Sequence, residues 1–82
     1  MNALELLIFR CAQVAVRNND EFAYKITVEP LRGHRGWRYT FEAIETADHH
    51  VVISGTGDSM DAMVANTNLN FKAAIDCWGY TE

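Results

Sequence analysis

The sequence predicts an α+β fold in the order α-β-β-β-α, with two helices packed on one face of a three-stranded antiparallel sheet. Apolar residues recur at intervals of three and four near both ends of the chain, as they do along one face of a helix. Apolar and polar residues alternate between these two segments, and turn-forming residues interrupt the alternation. The 82 residues are expected to form a single domain, 1–82.

The first helix is predicted over residues 3–17. Asn2 precedes it as the N-cap residue, and Glu5 stands where a capping box places an acceptor for the free cap amide. The polar run 18–20 is expected to end the helix, because such side chains compete for backbone hydrogen bonds. One helix face is apolar: Leu4, Leu7, Ile8, Cys11, Val14 and Ala15.

Three strands are predicted over residues 21–29, 37–43 and 50–54, and the segment 55–57 is expected to turn the chain. The first two strands form a hairpin around a loop with two glycines, 31–36. The apolar face of the hairpin carries Phe22, Tyr24, Ile26, Val28, Trp37, Tyr39, Phe41 and Ala43. The other face is expected to be open to solvent or to a partner: Ala23, Lys25, Thr27, Arg38, Thr40 and Glu42.

The second helix is predicted from an N-cap at Asp58 or Ser59 to about Cys77, with Gly79 as its left-handed terminator. Its apolar face carries Met60, Met63, Val64, Thr67, Phe71, Ala74, Ile75 and Trp78. We expect this face to pack against the apolar face of the hairpin. Cys11 and Cys77 are expected to be free thiols, since a bridge would require the two terminal helices to pack side by side.

Charge is divided unevenly along the chain. Residues 1–38 carry six basic and four acidic side chains, whereas residues 39–82 carry one basic and seven acidic ones. The second half is therefore a poor surface for nucleic acid and a good one for a basic partner. The longest apolar run is 6–9, so no membrane span is expected, and without a signal-peptide pattern we expect a cytoplasmic protein.

The loop after the first strand is the most distinctive candidate site. Arginine and tryptophan are favoured at the centres of protein interfaces, and the same residue types grip phosphates and stack on bases. The loop therefore predicts a protein contact, a nucleic-acid contact, or a solvated turn whose tryptophan only begins the core face. The candidate residues are Arg32, His34, Arg35, Trp37 and Arg38.

Metal, phosphate and catalytic sites are not expected. The three histidines lack a ligand spacing, and neighbouring His49 and His50 would point to opposite faces of a strand. The segment 55–59 lacks the lysine of a P-loop and places Asp58 where an anion would bind. No serine or cysteine has a sequence context for activation, so the sequence predicts a non-enzymatic protein without a cofactor.

The predicted order of elements, with Gly55-x-Gly57-x-Ser59 opening the last helix, resembles the double-stranded RNA-binding domain. In that family the serine is followed by lysines that clamp phosphates across the major groove. The corresponding positions here hold Met60, Asp61 and Val64, and the loop lacks the family's Gly-Pro-x-x-His pattern. The resemblance implies a shared fold in which the RNA-binding chemistry has been lost.

A second resemblance is one of type. A compact acidic chain of this length without a catalytic motif looks like the small phage-encoded anti-CRISPR and other anti-defence proteins, many of which present acidic side chains to basic nucleic-acid channels. It implies an inhibitor whose partner is a basic host complex. The alternatives are a degenerate nucleic-acid-binding domain that uses the loop 32–38 and a homo-oligomer, such as a homodimer, formed through the open sheet face. The acidic candidates are Asp58, Asp61, Asp76, Glu42, Glu45 and Asp48.

Overall fold

The computed structural model describes residues 1–33 and 35–82 and confirms the α+β class. Its elements are α1 (Ala3–Arg17), β1 (Phe22–Pro30), β2 (Trp37–Glu45), β3 (Val51–Gly57) and α2 (Met60–Trp78). The strands form one antiparallel sheet in the order β1-β2-β3. Both helices lie on the same face, and the core lies between them and the sheet.

Helix α1 begins and packs as its sequence predicts. The Asn2 side chain accepts a hydrogen bond from the Glu5 amide (2.9 Å), and the Glu5 carboxylate accepts one from the Asn2 amide (3.2 Å). This reciprocal pair is the expected capping box. Two of the six predicted core residues, Leu4 and Ile8, are partly buried and pack against the core. The other four are buried: Leu7, Cys11, Val14 and Ala15.

Strand β3 is longer than predicted, because residues 55–57 belong to it and do not form the turn. A Cβ atom on Gly55 would lie 2.7 Å from the Cα of Thr67, and one on Gly57 would lie 2.7 Å from the carbonyl carbon of Ala62. The two glycines therefore allow the backbone of α2 to lie directly on the strand. The chain bends at residues 58–59, where Ser59 caps α2 by accepting a hydrogen bond from the Ala62 amide.

Helix α2 ends at the predicted terminator, Gly79, which has a left-handed φ of 74°. The centre of its apolar face is buried as expected: Met63, Val64, Thr67, Phe71 and Ile75. Both ends of that face differ from the expectation, because Met60 and Trp78 remain exposed. Trp78 instead stacks on the His50 ring, with 4.2 Å between ring centroids.

The helices lie side by side and run in the same direction. The Arg10 guanidinium of α1 lies 3.8 Å from the centroid of the Phe71 ring and donates two hydrogen bonds to the Glu82 carboxylate. The expected condition for a bridge is thus met, yet Cys11 is buried, Cys77 is exposed, and both are free thiols. Within residues 1–33 and 35–82, no helix is long and apolar enough to cross a membrane.

Candidate interaction surface

The outer half of the β1–β2 hairpin carries apolar side chains that no helix covers. The register places Val28 opposite Tyr39 and Pro30 opposite Trp37, on the face that elsewhere packs against the helices. Phe41 on that face is fully buried, whereas Ile26, Val28 and Trp37 are 38%, 47% and 52% exposed. We call Ile26, Val28, Trp37 and the half-buried Tyr39 the distal patch.

The distal patch exists because the alternating segments are longer than the helices can cover. Apolar residues continue along β1 as far as Val28 and begin again on β2 at Trp37. Helix α2 starts only at Met60, one turn after Gly57, which pairs with Tyr39. Trp37 lies beyond this pair, and Ile26 and Val28 lie on the edge strand β1, which neither helix covers at this end, so the hairpin exposes a face of core composition.

The arginines of the β1–β2 loop lie at the same end of the hairpin as Trp37, and Arg38 lies on the open sheet face opposite Glu29. The loop closes with a hydrogen bond from the Leu31 amide to the Gly36 carbonyl (3.1 Å), and the left-handed φ of Gly33, 75°, helps to turn the chain. Arg32 and Arg38 line a groove of about 320 Å³ that also includes Glu29, Pro30 and Leu31. The structure describes four of the five candidate loop residues, and His34 lies outside the described residues. The four are all exposed: Arg32, Arg35, Trp37 and Arg38.

The acidic candidates on α2 do not form a continuous row. Asp58 and Asp61 lie at the start of the helix and Asp76 lies in its last turns, about 22 Å further along at 1.5 Å per residue. Lys72 is eleven residues after Asp61, close to three helical turns, so it lies on the same side. This exposed lysine interrupts the acidic row.

Glu45 departs most clearly from the expected acidic surface. Only 4% of it is exposed, and its carboxylate accepts hydrogen bonds from the amides of Ala47 (2.7 Å) and Asp48 (3.0 Å). It therefore closes the β2–β3 turn and is not available to a partner. Glu42 lies on the open sheet face opposite Lys25, and Asp48 is exposed in the turn.

The same turn brings together a group that sequence spacing did not indicate. Glu45, Asp48 and His50 each offer a metal-ligating atom, and these atoms lie within 4.8 Å of one another. The Glu45 amide donates to the His50 carbonyl, which is the contact that draws the two residues together. Both oxygens of Glu45 already accept main-chain N–H groups, which accounts for its burial without a metal ion.

Sequence reasoning also missed an apolar stripe on the outward side of α1. Leu6, Phe9 and Val16 are exposed there, and Phe9 and Val16 line a shallow groove of about 340 Å³. Their spacing of three and seven residues was a detectable signal, since residues so spaced share one side of a helix. Helix α1 is therefore apolar on two sides.

The thiol of Cys11 does not provide a nucleophile at neutral pH. Burial raises its pKa to about 12, although the nearby Arg10 charge acts in the opposite direction. The protonated thiol behaves as a small apolar side chain.

Comparisons of the chain with family models, with curated proteins and with solved structures found no match.

Proposed function

We propose that the protein is a non-enzymatic protein-binding module whose principal contact surface is the distal patch, together with the arginines of the adjoining β1–β2 hairpin end. The observation that carries this proposal is the exposure of three large apolar side chains, Ile26, Val28 and Trp37, on a face that is otherwise core. An apolar patch rimmed by polar residues is typical of a protein interaction site. A tryptophan beside arginines has the composition of an interface hot spot.

The chemistry of the patch defines the partner that would fit it. Trp37 requires an apolar pocket, because its ring would have to be desolvated on binding. Arg32 and Arg35 in the adjoining loop, and Arg38 next to Trp37 in the chain, favour carboxylates at the rim of that pocket. Their charge would also steer the approach of the partner. We therefore propose a protein partner with an apolar cleft and an acidic rim.

The finer proposal, inhibition of a host defence complex in the cytoplasm, has separate support. The second half of the chain is strongly acidic, which suits a basic nucleic-acid-binding surface. The exposed Asp48 and Asp76 could contribute to such a contact, but Lys72 interrupts the row on α2 and Glu45 is buried. The distal patch is thus the better-supported contact surface, and the nucleic-acid alternative would depend on the same loop.

An affinity capture with matched bait variants tests which surface works. The wild-type chain, Trp37→Ala, and the double variant Asp61→Lys with Asp76→Lys would each be used on a lysate of cells in which the protein occurs. We expect a partner that the wild type and the acidic double variant both retain and that Trp37→Ala loses. A purified partner should bind Trp37→Ala about thirtyfold more weakly, the effect of a 2 kcal/mol hot spot.

Leu69→Ala is the control, because Leu69 is an exposed apolar residue on α2 and far from the distal patch in the sequence. Equal capture by Trp37→Ala and the wild type would reject the distal patch. Loss of capture only in the acidic double variant would favour the acidic inhibitor surface. A ribonucleoprotein that is released by nuclease treatment would instead favour the nucleic-acid alternative.

A further inference from the structure

The two edges of the sheet are not equivalent. On the edge strand β3, the carbonyl groups of Thr56 and Ser54 point away from β2 and accept hydrogen bonds from α2 side chains. The side-chain amide of Asn66 donates to the Thr56 carbonyl (2.7 Å), and the side-chain amide of Asn70 donates to the Ser54 carbonyl (3.2 Å). These two side chains lie across the outward carbonyls, so α2 closes this edge to another strand.

The register shows which main-chain groups of β1 face the other edge. The Thr46 amide donates to the Glu21 carbonyl and the Leu31 amide donates to the Gly36 carbonyl, both at 3.1 Å. Hydrogen-bonded and non-hydrogen-bonded pairs alternate along an antiparallel ladder. The main chain of odd-numbered β1 residues therefore bonds to β2, and the N–H and C=O groups of even-numbered residues face outward. Pro30, which has no N–H to leave unpaired, belongs to the outward set.

We propose that two copies of this chain pair antiparallel through their β1 edges and join their sheets into one six-stranded sheet. In the register we infer, Thr27 lies opposite Thr27 of the second copy. The main chains of Ile26 and Val28 then exchange hydrogen bonds with Val28 and Ile26 of the second copy. The missing N–H of Pro30 limits the pairing to residues 24–30.

Charge complementarity favours one register of the β1–β1 pairing, and it favours a second copy of this chain as the strand that pairs with this edge. On the open sheet face, this register places Lys25 opposite Glu29 of the second copy, and the two-fold symmetry forms the pair twice. A register centred on Lys25 or on Glu29 would place like charges opposite each other. One centred on Ile26 would leave Lys25 opposite Thr27. The β1 edge is therefore complementary to a second copy of itself.

The dimer goes beyond the proposed function and is independent of it. Pairing uses the main chain of β1 and the charges on the open face, whereas partner binding uses side chains on the helix-side face. The dimer would nevertheless bring Ile26 and Val28 from both copies side by side, with a Trp37 on each flank. The two distal patches would then form one two-fold surface.

A charge-swap experiment on the full chain tests the register. Analytical ultracentrifugation from micromolar to millimolar concentration should show a mass rising from 9.3 kDa toward twice that value. Lys25→Glu and Glu29→Lys should each dimerise about tenfold or more weakly, because each places like charges opposite one another. An equimolar mixture of the two variants should dimerise as the wild type does, because opposite charges face each other again in the mixed dimer.

Lys72→Glu, which makes the same charge change on exposed α2, should leave the dimer unaffected. A wild-type chain that stays monomeric at millimolar concentration overturns the proposal and leaves the edge to another protein's strand. Single variants that dimerise like the wild type, or a mixture that does not recover, also overturn it. Should a variant fail to fold, amide hydrogen exchange of the wild type decides: the N–H groups of Ile26 and Val28 must gain protection as concentration rises.

Discussion

At the scale of single residues, two glycines set the distance between the sheet and α2. Any side chain on Gly55 would meet main-chain atoms of Thr67, which cannot move without displacing the helix. We expect Gly55→Ala to destabilise the protein by about 1–3 kcal/mol through overpacking. Urea unfolding measures this, with Thr56→Ala as the control because Thr56 is exposed between the two glycines. Equal midpoints for the two variants would contradict the close approach.

A second residue-scale contact joins the C-terminal segment to the start of the sheet. The Tyr80 hydroxyl donates a hydrogen bond to an Asp20 carboxylate oxygen at 2.5 Å. This bond, followed by one from the Glu21 amide, lowers the pKa of Asp20 below its ordinary value of 3.8. Burial, followed by the same bond to Asp20, raises the pKa of Tyr80 to about 12.

These shifts predict how stability depends on pH. The lowered pKa of Asp20 means that its contribution is complete above pH 3.8 and is lost as pH falls through its folded-state pKa. The raised pKa of Tyr80 means that its contribution is complete below pH 10 and is lost as pH rises toward 12. We expect Tyr80→Phe to reduce the loss of unfolding free energy at low pH and the loss at high pH. Tyr39→Phe is the matched control, and an identical pH profile for the two variants would contradict this assignment.

Residues whose role is local were predictable, and residues brought together by the fold were not. The capping box joins Asn2 and Glu5, which are only three positions apart, so the sequence contains the whole motif. Glu45 was expected to be a surface acid because its residue type is usually exposed. Its burial depends on how the β2–β3 turn folds back, which residue type and alternation do not describe.

At the scale of elements, periodicity predicted all five segments and most of their packing. The error at β3 arose because glycine commonly marks turns, whereas here it also permits a helix to lie close to a strand. The candidate site was only half predictable. The loop arginines and Trp37 stood out in the sequence, but Ile26 and Val28 were expected to be covered. Their exposure depends on the placement of the helices, since α2 packs mainly on β3 and α1 covers little of β1.

The packing of α2 on the sheet leads to a prediction about one side chain. Phe71 is fully buried beneath the Arg10 guanidinium and is among the largest side chains of the core. We expect Phe71→Ala to cost about 3–5 kcal/mol, a large part of the stability of so small a domain. Leu69→Ala on the exposed side of the same helix should change little. Thermal unfolding compares them, and melting temperatures within two degrees of each other would refute the packing.

At the scale of the whole molecule, the basic and acidic side chains are interleaved in a way that opposes binding of nucleic acid. Arg38 and Asp58 line one groove, together with Trp37 and Thr56. Asp61 lies in the first turn of α2, and Val64 is buried, so neither position can supply the phosphate contacts of a double-stranded RNA-binding domain. The arginines of the loop therefore act beside the Asp58 carboxylate and without a basic residue in the first turn of α2.

We accordingly expect no binding of duplex RNA or DNA tighter than about 1 µM at about 150 mM salt, since so few phosphate contacts are available. A gel shift repeated over a range of salt concentrations measures this. Arg32→Ala with Arg35→Ala would remove the loop contacts, while Lys72→Ala removes a basic charge from α2 as the control. Submicromolar binding that the loop double variant abolishes and the control retains would contradict the expectation. It would replace protein binding with nucleic-acid binding as the function of the loop, because the salt dependence would then report phosphate contacts made by those two arginines.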